Sequence, residues 1–146
     1  MNEAILNPRR STRPVTRGEI VAWALCDWAN SAYSTLSITL LVFYLQDLVL
    51  PEDQPLMVLG VAINGTRVWG WGLGISMLCA AWLSPVLGAM ADARATKWKW
   101  LIGTSLPGAA FATAIALMPA SQPIPICILF FLTSLCFELS FGFYNG

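Results

Sequence analysis

Long stretches without a charged side chain are the feature that most constrains this chain. No Asp, Glu, Lys or Arg occurs at positions 28–46, 68–91 or 100–137. A helix rises about 1.5 Å per residue and a bilayer core of about 30 Å needs about 20 apolar residues. The first two stretches therefore fit one membrane span each. The third fits two, because the prolines at positions 119, 123 and 125 interrupt it. The pattern predicts an all-α membrane protein with four transmembrane helices, at about 19–46, 68–91, 100–118 and 124–144.

The composition excludes most other classes of protein. Hydrophobic residues make up 57% of the chain and charged residues only 11%, against roughly 25% charged residues in soluble domains. A soluble domain, a disordered chain and a nucleic-acid-binding protein with a basic face are therefore excluded. The chain has no histidine and no arrangement of a nucleophile with a base. We expect the lipid bilayer as a partner, and no catalytic residue, metal site, cofactor or nucleic acid.

The basic residues indicate how the helices are oriented. All of them except Arg67 lie in the first 19 residues or in the connection between the second and third predicted spans. Cytoplasmic segments of membrane proteins carry an excess of Lys and Arg. We therefore expect a cytoplasmic polar arm at 1–18, a transmembrane region at 19–146, and both termini in the cytoplasm. A multi-pass protein of the plasma membrane is the expected location.

Polar residues of the first predicted span fall on one helix face. Asp27 is followed by Asn30, Ser31 and Ser34, at positions that share a face with it. A carboxylate inside a membrane is costly and marks a functional site by default, so these residues are candidates for a substrate path or its gate. The alternative is that Asp27 helps to solvate the helix end, and that the other three residues pack this helix against another.

The fourth predicted span contains a second acid, Glu138. We expect it to face the bundle interior, with Ser134 or a neighbouring helix solvating its carboxyl group. Two roles remain open for it: a site that couples transport to proton movement, or a hydrogen bond that packs helices.

The first span resembles a known family. The string Trp23-Ala24-Leu25-Cys26-Asp27-Trp28-Ala29-Asn30-Ser31-Ala32-Tyr33 is similar to the opening helix of the vacuole-effluxer-like branch of the major facilitator superfamily. That branch contains fungal vacuolar amino-acid effluxers and bacterial relatives. Cys26 stands where the usual pattern has a tyrosine.

The connection between the second and third spans carries the same resemblance. Gly88 and Asp92, followed by Arg94 and Lys97, are similar to the superfamily's cytoplasmic loop motif. The basic half departs from the pattern, since Ala93, Ala95 and Thr96 replace two basic residues and a turn glycine. In this motif Gly88 would let another helix approach, and Asp92 would bond basic residues or cap a helix. The alternative is an ordinary basic cytoplasmic loop with one acid.

The resemblance implies a secondary transporter that moves a small solute, with amino acids as the family's substrate class, by alternating access. Such carriers have two six-helix halves with the substrate site between them. We therefore expect this chain to be the N-terminal portion of a carrier. Its partners would be the solute, a coupling proton, and either the missing C-terminal helices or another copy of the chain. The alternative is a small four-helix membrane scaffold or accessory protein that transports nothing.

Overall fold

A computed structural model describes residues 16–58, 60–94 and 96–145 of the chain. Most of the predicted polar arm, up to position 15, lies outside the described residues. The chain forms two compact units, one ending at Ser34 and the other beginning at Thr35.

The described ranges contain four helices long and apolar enough to cross a membrane, at Arg17–Val49, Gly65–Ala93, Lys97–Leu117 and Pro123–Tyr144. The predicted all-α class with four transmembrane helices is therefore confirmed. The first of these membrane-spanning helices consists of α1 (Arg17–Leu36) followed by two π-helical segments, Ser37–Leu41 and Tyr44–Val49. The others are α2 (Gly65–Ala93), α3 (Lys97–Leu117) and α4 (Pro123–Asn145).

Local signals in the sequence set the starts of these helices. Thr16 and Glu19 form a capping box: the Thr16 N–H donates to Glu19 Oε2 at 2.7 Å, and the Glu19 N–H donates to Thr16 Oγ1 at 3.3 Å. The Asn64 side chain caps α2 by accepting from the Arg67 N–H at 3.0 Å. Proline at position 123 begins α4, where a missing N–H costs nothing.

α4 packs against both α2 and α3, and the apolar core of the unit that begins at Thr35 lies at one end of these helices. This core joins the second π-helical segment, the end of α3 and the first turns of α4. Its buried members are Leu45, Val49, Leu50, Ile115, Ile126 and Phe130. Gly65 lies directly on the backbone of Leu45, and its N–H donates to the Leu50 carbonyl at 2.9 Å. A Cβ at position 65 would collide with the Leu45 carbonyl, so α2 begins at a residue without a side chain.

The connection before α2 contains a β-hairpin that the sequence analysis did not predict. β1 (Leu56–Val58) pairs antiparallel with β2 (Val61–Ile63), with Leu56 opposite Ile63 and Val58 opposite Val61. Gly60 in the turn has φ of 82°, a conformation that glycine adopts without steric cost. The hairpin is anchored to the bundle through Leu56, which packs against the core.

Candidate functional site

The polar residues predicted on the first span lie on α1. Asp27 and Ser31 are exposed, and Asn30 and Ser34 are half-buried. The Ser34 hydroxyl donates to the Asn30 carbonyl oxygen at 3.1 Å. Because the segment is α-helical, the four residues share one face, and their roles in a substrate path remain a prediction.

The backbone changes to π-helical geometry three residues after Ser34. Thr39 Oγ1 donates to the Thr35 carbonyl at 2.6 Å, and hydroxyl bonds of this type often bend helices. The indole N–H of Trp69, on α2, donates to the Ser37 carbonyl at 3.2 Å. The Ser37 hydroxyl is buried and has no partner among the described residues. Short π-helical turns occur often at functional sites, and sequence reasoning missed this segment.

Glu138, the acid of the fourth predicted span, is half-buried on α4. No hydrogen bond or ion pair among the described residues involves the Glu138 carboxylate. Ser134 does not solvate Glu138, because the Ser134 hydroxyl has no hydrogen-bond partner in the described part of the chain. Solvation by a neighbouring helix, the other expected arrangement, stays a prediction. Helical spacing places the two residues on one side of α4, but Ser134 is 1% exposed whereas Glu138 is half-buried.

The interior of the bundle holds further hydroxyl groups close to Glu138 in sequence. Thr133, like Ser134, is 1% exposed and has no partner for its hydroxyl among the residues described. By contrast, the Ser105 and Ser140 hydroxyls share a hydrogen bond of 2.7 Å that links α3 to α4. A buried hydroxyl without a partner costs about 1–3 kcal/mol. The sequence analysis did not single out Thr133, Ser105 or Ser140, although serine and threonine in an apolar span are a recognisable signal.

Small residues allow close approach between the helices. A Cβ at Gly108 of α3 would lie 3.0 Å from Cys136 Cβ on α4, and a Cβ at Gly142 of α4 would lie 3.3 Å from the Ser84 hydroxyl on α2. Gly88 is different, because a Cβ there would meet nothing within 4 Å in the described structure. The helix that the loop motif predicts beside Gly88 is therefore not one of the described helices.

The remaining loop-motif residues lie where α2 turns into α3. Lys97 Nζ is 3.0 Å from Asp92 Oδ1, and the two side chains are 43% and 61% exposed. Arg94 is exposed, and its N–H donates to the Asp92 carbonyl. The Thr96 N–H donates to the Ala91 carbonyl at 2.9 Å and closes the turn. The structure thus brings together Asp92 and Lys97, and Gly88 lies one helical turn before Asp92 on the same side of α2.

Comparisons with known proteins identify the family of the chain. The family model described as "Vacuole effluxer Atg22 like" matches residues 15–146. The chain belongs to this family. The resemblance to the vacuole-effluxer-like branch of the major facilitator superfamily is thereby confirmed.

A curated relative supports the same family. The uncharacterized MFS-type transporter YxiO of Bacillus subtilis (strain 168) is 28% identical over 125 residues, which cover 86% of this chain and 28% of that protein. The chain thus spans just over a quarter of the length of this relative. No solved structure matches the chain. The family is one of membrane transporters, and its four apolar helices make the chain a multi-pass membrane protein.

Proposed function

We propose that the chain forms the N-terminal portion of a secondary transporter that moves a small solute, with amino acids as the first candidates, by alternating access. Glu138 carries the proposal most directly. It lies in α4, whose span has a mean hydropathy of 2.1, and no described residue balances its charge. An acid in so apolar a helix is costly and is kept where it serves a substrate or proton path. We propose that Glu138 couples transport to proton movement.

The face of α1 that carries Asp27, Asn30, Ser31 and Ser34 is proposed to line the solute path or its gate. Its carboxylate, amide and hydroxyl groups supply donors and acceptors for a zwitterionic or polar solute. Asp27 is exposed on its helix within this unit. The Ser34–Asn30 bond satisfies one hydroxyl inside the helix and leaves the Asn30 amide for other partners.

The turn between α2 and α3 is proposed as the cytoplasmic gating element. The Asp92–Lys97 pair is exposed, and exposed ion pairs contribute at most about 1 kcal/mol. A contact of this strength can break and form again as a carrier changes conformation. Gly88, with open space in front of it, would accept a helix of the rest of the carrier or of another copy. Arg94 would remain at the lipid headgroups.

Both termini are proposed to lie in the cytoplasm of a cell whose plasma membrane holds the protein. Arg94, Lys97 and Lys99 lie at one end of α2 and Arg67 at the other, and the 29 residues of α2 separate these ends by about 40 Å at the rise of an α-helix. A membrane-impermeant thiol reagent should label Asp53→Cys from outside the cell and leave Lys99→Cys unlabelled.

Solute counterflow tests the proposed transport. The full product of the gene is reconstituted into liposomes loaded with one unlabelled amino acid at a time, and uptake of the labelled form is measured. A carrier predicts transient accumulation of the label for at least one amino acid class, above liposomes with an unrelated membrane protein. Correctly inserted protein that exchanges no amino acid would contradict the amino-acid proposal. Failure with other small solutes as well would favour a scaffold.

A further inference from the structure

The hairpin between the first two spans has an unusual composition for a segment outside the helices. From Pro55 to Ile63 no side chain contains oxygen or nitrogen. Connections that face water normally carry polar residues. This run therefore requires an apolar surrounding, and the residues that the structure describes supply only part of it.

The bundle covers the base of the hairpin and leaves its tip bare. Leu56 packs against the core, and its partner Ile63 is half-buried. Farther along, Met57 is 65% exposed, and the paired Val58 and Val61 are 40% and 45% exposed. The exposed side chains lie on both faces of the hairpin, since Met57 and Val58 are adjacent in one strand.

The neighbouring residues are those typical of a membrane–water interface. β2 joins α2 through Asn64 alone, and α2 presents exposed Trp71 two turns from its start. Trp side chains concentrate at the level of the lipid headgroups. Arg67 is exposed and its Nη1 donates to the Ala62 carbonyl at 2.5 Å, which fixes a cation beside the strand. The remaining N–H groups of a guanidinium match phosphate oxygens.

The hairpin follows closely after a segment long and apolar enough to span a membrane. Leu48, on the helical turn before it, is 62% exposed on a segment that spans the membrane. Between them the exposed Glu52, Asp53 and Gln54 form a polar turn that faces water. A polar turn thus separates the end of the first span from the apolar hairpin.

We propose that the hairpin Leu56–Ile63 is an interfacial anchor whose tip inserts among the lipids of the leaflet at the end where α2 begins. Met57, Val58 and Val61 would lie at the boundary between headgroups and acyl chains, with Arg67 bound to phosphate. Interfacial segments of this kind bind through buried apolar area together with electrostatic attraction to the headgroups. The anchor fixes the depth of the first two spans and does not depend on the identity of the solute.

Site-specific fluorescence in lipid nanodiscs tests the anchor. An environment-sensitive dye is attached to Met57→Cys or Val61→Cys in the full chain with its four native cysteines replaced by serine or alanine, and Gln54→Cys in the polar turn is the matched control. We expect blue-shifted emission at positions 57 and 61. Quenching there by lipids with a spin label near the headgroup should be several-fold stronger than at position 54, and quenching by aqueous iodide several-fold weaker.

Two outcomes would overturn the proposal. Iodide quenching at positions 57 and 61 equal to that at position 54 would place the tip in water. Protection from both iodide and spin-labelled lipid would show that protein covers it.

Photolabelling of the unmodified chain by a lipid-borne diazirine gives a second readout that requires no substitution. We expect label in the peptide 55–63. A labelled α2 without label in that peptide would also overturn the anchor.

Discussion

The ring of Phe130 occupies the space in which a side chain at position 72 would begin. A Cβ built on Gly72 would lie 2.6 Å from Phe130 Cε1 and 2.9 Å from Cδ1. Phe130 is fully buried in the core where α2 meets α4. The contact between these two helices therefore depends on a glycine at this position.

Replacing Gly72 should destabilise the bundle. Gly72→Ala forces Phe130 or the helix to move, and overpacking of a core typically costs about 1–3 kcal/mol. Gly74→Ala is the matched control, because a Cβ at position 74 meets nothing within 4 Å. Thermal unfolding in detergent should show a lower midpoint for Gly72→Ala alone. Equal midpoints for the two variants would contradict the packing.

The hydroxyl pair between α3 and α4 should contribute a small but measurable stability. Ser105 and Ser140 share a 2.7 Å hydrogen bond, and such bonds between membrane helices average about 0.6 kcal/mol. A double-mutant cycle with Ser105→Ala and Ser140→Ala, followed by unfolding in mixed micelles, measures their coupling energy. We expect a favourable coupling of that order. Strictly additive effects of the two substitutions would show that the hydroxyls do not interact.

The exposed ion pair of the α2–α3 turn should matter more for transport than for stability. Lys97→Met is expected to change the free energy of unfolding by less than about 1 kcal/mol and to lower the rate of uptake. Lys99→Met removes a neighbouring charge outside the pair and should leave the rate near that of the unmodified protein. The charge swap Asp92→Lys with Lys97→Asp should restore part of the rate. Equal rates in both lysine variants would contradict a gating role.

The sequence predicted the four helices because a membrane span depends on length and local hydrophobicity, both of which can be counted. It did not predict the π-helical turn at Ser37–Leu41, whose geometry accompanies a contact with Trp69, 32 residues away. The hairpin had a signal, since two apolar triplets flank Gly60. That signal is weak, because each triplet is shorter than a typical strand and lies in the connection between two spans.

The candidate site was harder to predict than the fold. The helical spacing of Ser134 and Glu138 predicts that they lie on one side of α4, but it does not predict which rotamers their side chains adopt. Ser134 is buried without a bond to the carboxylate. A bond from Asp92 to a basic residue was one of the two roles expected of it, and Lys97, five residues away across a short turn, is that residue. Contacts that depend on another helix, such as Ser105 with Ser140, require the packing to be known.

The proposed proton coupling through Glu138 predicts a change in pH dependence. Glu138→Gln keeps the size and polarity of the side chain but cannot gain or lose a proton. Uptake by this variant should become independent of pH, and accumulation driven by a proton gradient should be lost while exchange of solute persists. Glu52→Gln, in the polar turn, is the control and should retain the pH profile. A preserved profile in Glu138→Gln would exclude the coupling role.

The polar face of α1 is proposed to line the solute path, and Asp27→Asn, which replaces its carboxylate with an amide, tests this role. Asp47→Asn makes the same chemical change at an exposed position near the end of the same span and serves as the control. Uptake of the solute found by counterflow is measured in cells, with membrane levels of each variant quantified. We expect Asp27→Asn to abolish uptake at an unchanged membrane level and Asp47→Asn to transport normally. Normal uptake by Asp27→Asn would contradict this role.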